Sequence, residues 1–242
     1  MRLAPAILGL VLLALPTGVA RAADLNPTQR FHYEISWGFL HVGRSTMEVT
    51  PTEDGQVSIF TGAWSNSKLS RIYPVEDVAR SIVESAAHPL ALNYTLVTRE
   101  GRHRKDRELI FDREAGSVTF FDHIENTETP YEIPAEVFDP LGAFQYTRMN
   151  TLVVGRSVFV PMFDSKRFYE LEVRVLRRER VTVDAGTFDA IVIQPVMQSE
   201  GVFSSSGAIY IWISDDLRRI PVKVEAKVFI GSVRAELTGG TY

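Results

Sequence analysis

The chain of 242 residues contains no cysteine. That excludes a disulfide framework, a thiolate metal site and lipid attachment through a cysteine, and leaves stability to an ordinary apolar core. Its five histidines, His32, His41, His88, His103 and His123, show no ligand spacing such as H-x-x-x-H. Zinc would have to rely on histidines and carboxylates alone, and the sequence predicts no metal site and no cofactor. There is no G-x-S-x-G elbow and no phosphate-cradling glycine loop. The run Ser204 to Gly207, SSSG, reads as a loop of turn formers.

Only one long apolar run occurs. Arg2 precedes AILGLVLLALP (Ala6 to Pro16), too short to span a bilayer, and Ala20 to Ala22 supply a small-x-small cleavage signal. Residues 1–22 are therefore expected to be a signal peptide. Residues 23–242 are expected to form a single β-rich domain that is periplasmic, carries no lipid and has no transmembrane anchor. Losing the leader removes Arg2 and Arg21 and no acid, so the formal charge of −4 becomes −6. That argues against a nucleic acid or an anionic membrane as a partner held mainly by net charge.

What is present is alternation. In VKVEAKVFIG, Val222, Val224, Ala226, Val228 and Ile230 share one face, and Lys223, Glu225 and Lys227 the other. FYELEVRV (Phe168 to Val175) alternates in the same way, as half-buried strands do. Further strands are predicted at Phe31–Trp37, Leu40–Val49, Val57–Trp64, Val75–Val83, Leu92–Thr98, Arg104–Phe111 and Val118–Asp122. Others follow at Val158–Met162, Val181–Val183, Phe188–Val196 and Ala208–Ile213. Turn glycines at Gly55, Gly101, Gly116 and Gly186 separate several of them. Against this background FDPLGAFQYTRMN offers Asp139 as N-cap, Pro140 at the first helical position, and Leu141 and Phe144 on one face. The fold class read from these patterns is mainly β: an antiparallel curved sheet or partly open β-barrel with one embedded α-helix at about 138–150.

Aromatic residues give the one positive functional signal. Trp37, Phe39, Trp64, Phe144 and Trp212 lie on strands, a turn or the helix, and a barrel lined by them would hold an apolar ligand. The bland alternative for each is ordinary core. The basic run REGRHRKDREL (Arg99 to Leu109) reads either as a charged hairpin tip neutralised by its own acids or as a patch for an anionic lipid headgroup or cell-wall polymer. SDDLRR (Ser214 to Arg219) reads as a hairpin tip, with Arg218 and Arg219 neutralising Asp215 and Asp216.

The phrases YEISWGFLHVG, IYPVEDVARS, HPLALNYTLVTREGRHRK, FDPLGAFQYTRMN, DAGTFDAIVIQP and IWISDDLRRIPVKVEAKVFIGSVRAEL occur in that order. Together they resemble the exported bacterial proteins of domain-of-unknown-function family 3108, from about Phe31 to Leu237. The resemblance implies a Gram-negative envelope protein and transfers no catalytic residue. A looser fold analogy is to lipoprotein carriers of the LolA and LolB kind. The functional expectation is a non-catalytic periplasmic domain binding a lipid, a lipoprotein or another envelope protein. Two alternatives stand beside it: a hydrolase of cell-wall glycan or lipid using converging carboxylates, and a scaffold recruiting a protein partner by a sheet edge.

Overall fold

The computed structural model describes residues 28–196, 208–228 and 230–242. The expected signal peptide and the SSSG loop lie outside them. Fourteen strands follow one another: β1 (Gln29–Trp37), β2 (Leu40–Pro51), β3 (Val57–Ser65), β4 (Val75–Val83), β5 (Ala91–Glu100), β6 (His103–Asp112), β7 (Ser117–Asp122) and β8 (Thr127–Glu132). The helix α1 (Pro140–Met149) comes next, then β9 (Ser157–Asp164), β10 (Arg167–Val183), β11 (Gly186–Val196), β12 (Ile209–Ser214), β13 (Pro221–Lys227) and β14 (Ser232–Thr241). All fourteen form one antiparallel sheet in the order β8-β7-β6-β5-β4-β3-β2-β1-β14-β13-β12-β11-β10-β9. Strands consecutive in sequence pair with each other except β8 and β9, the two edges of the sheet, and the first and last strands meet where β1 pairs with β14.

The sheet curls until its edges approach without pairing. Each edge strand holds a proline, Pro130 in β8 and Pro161 in β9, and proline offers no N–H to a ladder. The seam is closed by other means. Phe138, ahead of the helix, donates its N–H to Pro161 O and accepts from Phe163 N, both at 2.9 Å. Phe163 of β9 is buried in one cluster with Leu109, Phe111, Val118 and Phe120 from the other side of the seam. Arg113 donates to the carbonyls of Ala135 and Val137 at 2.6 and 3.4 Å, pinning the segment that crosses the gap.

The helix starts and stops where the sequence sets it. Asp139 Oδ1 accepts from the N–H of Leu141 and Gly142 at 2.8 and 3.0 Å, a side-chain N-cap, and Pro140 follows. Its apolar residues reach all three core clusters: Leu141 and Phe144 pack with Phe31 and Val83, Ala143 and Tyr146 with Ile191 and Val173, and Leu141 also with Val137. At about 1.5 Å per residue, ten residues span roughly 15 Å. The first turn meets β4, through Ser81 Oγ to Asp139 Oδ2 at 2.6 Å. The last turn meets β1 and the β12–β13 hairpin, so α1 crosses one end of the barrel.

The helix buries more polar surface than its pattern predicts. Gln145, Thr147 and Arg148 are buried, whereas Met149 is 43% exposed. Arg148 donates to Arg219 O at 3.0 Å, Arg218 O at 3.2 Å, Gln145 Oε1 at 3.3 Å and Gln29 Oε1 at 3.1 Å. Its guanidinium lies 5.2 Å from the centroid of the Phe31 ring. Burial lowers its pKa to about 10, so it stays charged at neutral pH.

Other differences from the sequence reading have local causes. The two strands read at 168–175 and 181–183 are one, because LRRER continues the pairing through a register shift between Val175 and Arg177. β8 and β14, with TETPYE and a Gly-Gly pair, carry too weak an alternation to be seen in sequence. The four turn glycines all take positive φ, from 54° at Gly101 to 133° at Gly186.

Two stability predictions follow from this packing. Gly142 faces the backbone of the β4–β5 connection, and a Cβ there would lie 2.7 Å from Pro89 O. Gly142→Ala should therefore destabilise by roughly 1–3 kcal/mol in urea unfolding, although alanine is the better helix former; a gain in stability would contradict this seating. Arg148→Ala should cost about 3 kcal/mol by orphaning buried carbonyls. Arg148→Lys should recover little, since a single ammonium cannot span the hairpin and Gln29 together. Full recovery by lysine would count against that role.

Candidate functional site

With α1 across one end, the opposite end is bounded by the β1–β2, β3–β4, β5–β6, β7–β8, β9–β10 and β13–β14 turns. Four of these turns are tied, with the adjoining strand ends, into one rim. Gly38 N–H donates to Ser232 O at 3.1 Å, and Trp37 Nε1 to Ile230 O at 2.7 Å. Asn66 Nδ2 donates to His41 O at 2.6 Å, and Gly101 N–H to Pro74 O at 2.8 Å. Gly101 is required here: its φ is positive, and a Cβ would sit 2.6 Å from the Tyr73 ring. Along this rim Phe39, Leu40, Ile72, Tyr73 and Ile230 are exposed, Phe39 by 97% and Ile72 by 86%.

Below the rim, the inner face of the sheet changes character. Side chains alternate across a strand, so buried Ala79 and Val83 place Asp77 inside, and buried Tyr94 places Thr98 and Glu100 there. By the same rule Leu109 and Phe111 place Lys105 and Arg107 inside, and Phe120 places Asp122. The core is thus apolar toward α1 and charged toward the mouth. Arg107 lies 3.5 Å from Asp122 and donates to Ser165 Oγ at 3.3 Å across the seam. Burial pushes Asp122 up, but the N–H groups of Glu125 and Ile124 and the Arg107 guanidinium hold it below its ordinary value. Glu100 moves the other way. Burial and its hydrogen bond to Asp77 raise it to about 7, against the pull of Lys105.

The predicted ligand-lining residues do not form one lining, although Phe144 and Trp212 belong to the same packed core cluster. Trp37 (44% exposed) and Phe39 stand at the mouth. Phe144 is packed on the helix at the other end. Trp64 lies on the sheet face opposite Val57 and Ile59, laid over Gly62 of its own strand. Trp212 is buried, donates Nε1 to Glu179 Oε1 at 2.5 Å, and carries Lys223 Nζ 4.9 Å from its ring centroid. Sequence reasoning missed Ile72, Tyr73 and Ile230, as well as Asp77 and Glu100. The available signal was Ile72-Tyr73, an apolar pair standing between Arg71 and Pro74 outside any alternating run.

The SDDLRR tip is a hairpin turn. Asp216 Oδ1 accepts from Ser214 Oγ, Arg218 N and Arg219 N at 2.7, 3.1 and 3.2 Å. Asp215 pairs with Arg178 at 2.6 Å and with Arg219 at 3.5 Å. Among the described residues no three His, Asp or Glu side chains gather closely enough to hold a metal ion, and no helix is long and apolar enough to cross a membrane.

These features define an open, barrel-like antiparallel β protein with one end plugged by a helix. The chain belongs to the family described as protein of unknown function DUF3108, whose model matches residues 32–238. No curated protein matches it by sequence. Among solved structures it is similar to a β-barrel-like protein of domain of unknown function DUF1849 from Brucella abortus, with a TM-score of 0.59 at 10% identity, over 89% of this chain and 97% of that one. A provisionally assigned lipoprotein from Parabacteroides distasonis aligns with a TM-score of 0.34 at 12% identity, over 89% of this chain and 96% of that one.

The Glu100 shift makes stability depend on pH. Between about 4.5 and about 7 the folded protein keeps a proton that the unfolded chain releases, so stability falls as pH rises through that window. Asp139, raised by burial to about 6 against the pull of Ser81 and the helix N–H groups, acts with the same sign below pH 6. Glu100→Gln should therefore flatten the decline in urea midpoint between pH 6 and pH 7. An unchanged slope over that interval would contradict the assignment.

Proposed function

We propose that the protein is a non-catalytic, periplasmic binding domain of the bacterial envelope, exported through a leader cleaved after Ala22, whose open end receives an apolar or amphiphilic component. The observation that carries this reading is the rim. Phe39, Leu40, Ile72, Tyr73 and Ile230 are exposed on neighbouring turns and strand ends that are hydrogen-bonded to one another. Apolar side chains gathered on a rigid edge mark a contact surface. The charged belt beneath suits an amphiphile: chains meet the rim, while a polar group meets Asp77, Glu100, Lys105 and Arg107.

The hydrolase alternative would draw on Asp77 and Glu100. Burial and Asp77 raise the Glu100 carboxyl, a pair acting on one proton, whereas glycoside hydrolysis sets two carboxyls on either side of the scissile bond. The pair supports binding over that chemistry. Recruitment of a partner strand gains little support, since the β8 edge carries Pro130 and the acids Glu128 and Glu132.

Native mass spectrometry of protein purified from envelope extracts without detergent should show an adduct of lipid mass. Titration with a monomeric lysophospholipid should change Trp37 fluorescence saturably, and the change should be absent in Trp37→Phe. Empty protein that takes up no lysophospholipid would sink the amphiphile reading.

A further inference from the structure

We propose that the open end is a docking surface for an anionic phospholipid bilayer, an inference that rests on the amphiphile-binding reading and names the surface from which the amphiphile is met. The formal charge of −4 argues against such a partner only while charge is treated as spread evenly. It is not. The connections at the open end carry Lys68, Arg71, Arg102 and Lys166 against one described acid, Glu125. Those at the helix end include Glu53, Asp54, Glu84, Glu114, Glu136 and Asp184, and acids outnumber bases there.

Pairing sharpens the asymmetry. Over the rest of the surface, bases are largely matched: Arg30 to Glu48 at 2.7 Å, Arg99 to Glu76 at 3.3 Å, Arg177 to Glu179 at 2.8 Å and Arg218 to Asp216 at 2.7 Å. Lys68, Arg71 and Arg102 are exposed and have no carboxylate partner among the described residues. Arg71 directly precedes Ile72 and Tyr73, and Arg102 follows the glycine on which the Tyr73 ring lies. Unpaired cations interleaved with projecting apolar side chains match the two layers of an anionic bilayer surface. Phosphates lie outermost, and the acyl boundary is a few ångströms deeper. The acidic helix end would be repelled by the same surface, which fixes the orientation. The run REGRHRKDREL is thus divided: Lys105 and Arg107 face inward, Arg99 is paired, and Arg102 is left for a partner.

Co-flotation with vesicles tests this. One set contains phosphatidylglycerol in phosphatidylcholine, and the other phosphatidylcholine alone. Because the apolar run Ala6 to Pro16 would itself enter a bilayer, all comparisons are made among full chains processed alike. Partitioning onto the anionic vesicles should exceed that onto the neutral ones at least tenfold. Lys68→Glu/Arg71→Glu/Arg102→Glu and, separately, Phe39→Ser/Ile72→Ser should each lower it at least tenfold. Arg156→Glu/Leu217→Ser, at the helix end, should leave it unchanged. Equal partitioning onto both vesicle types, or a charge-reversal variant that floats like the unaltered protein, overturns the proposal. So does loss of binding in the helix-end variant. If lipid co-purifies but no vesicle binds, the docking proposal fails while the amphiphile reading stands.

Discussion

The guanidinium of Arg148 joins parts of the chain that are distant in sequence: the start of β1 through Gln29 and Phe31, its own helix through Gln145, and the β12–β13 tip through the carbonyls of Arg218 and Arg219. Burying it costs desolvation, and no carboxylate offsets that cost among the described residues. What it gains is geometry. A planar fork with five donors can satisfy several acceptors in different directions, and that fixes the last turn of α1 as Asp139 fixes the first. A helix held at both termini cannot tilt out of the barrel, so one end is sealed by packed protein. Phe39, Ile72, Tyr73 and Ile230 project from the connections at the other end.

That division organises the electrostatics as well. Toward α1, the inner face is made of residues such as Val83, Tyr94, Leu109 and Phe120; toward the mouth, the same strands place Asp77, Glu100, Lys105 and Arg107 inside. A charged lining under an apolar rim is the reverse of an ordinary core, where polarity increases outward. It suits a surface that meets another apolar phase. Glu100, raised to about 7, adds a proton that leaves near physiological pH, changing the charge of the belt without altering the rim.

Most of the fold was legible because it is written in local periodicities. Alternation located the strands of the meander, and Asp139-Pro140 located the helix. The boundaries read for the fourth strand, Val75–Val83, match the structure, and the helix read at about 138–150 is found at Pro140–Met149. Pro130 and Pro161 each mark an edge strand, a signal that becomes clear only once the strand order is known. The site was less legible. Aromatic identity grouped Trp37 with Trp64, Phe144 and Trp212, but the register sends Trp37 to the mouth and Trp64 to the opposite sheet face, and packs Phe144 and Trp212 into one core cluster with Glu179 and Lys223 against the indole. Position on the rim depends on which turns share an end of the sheet. Whether a base is paired depends on contacts such as Arg99 to Glu76 across strands. Neither quantity exists in a linear string.

The double aspartate and double arginine of SDDLRR show how a charged cluster can look like chemistry and be geometry. Asp216 binds Ser214 Oγ and two backbone N–H groups. Burial pushes it up, but those bonds and Arg218 hold it below its ordinary value, so it stays ionised as a turn cap. Arg219 takes a φ of 49°, and the resulting turn aims two carbonyls inward at Arg148. The tip therefore acts through its backbone, with its side chains occupied in shaping it. A segment committed in this way to seating the helix has few groups left to act on a ligand. Lys68, Arg71 and Arg102, exposed and without a carboxylate partner among the described residues, stand at the far end of the same strands, beside Tyr73 and Gly101.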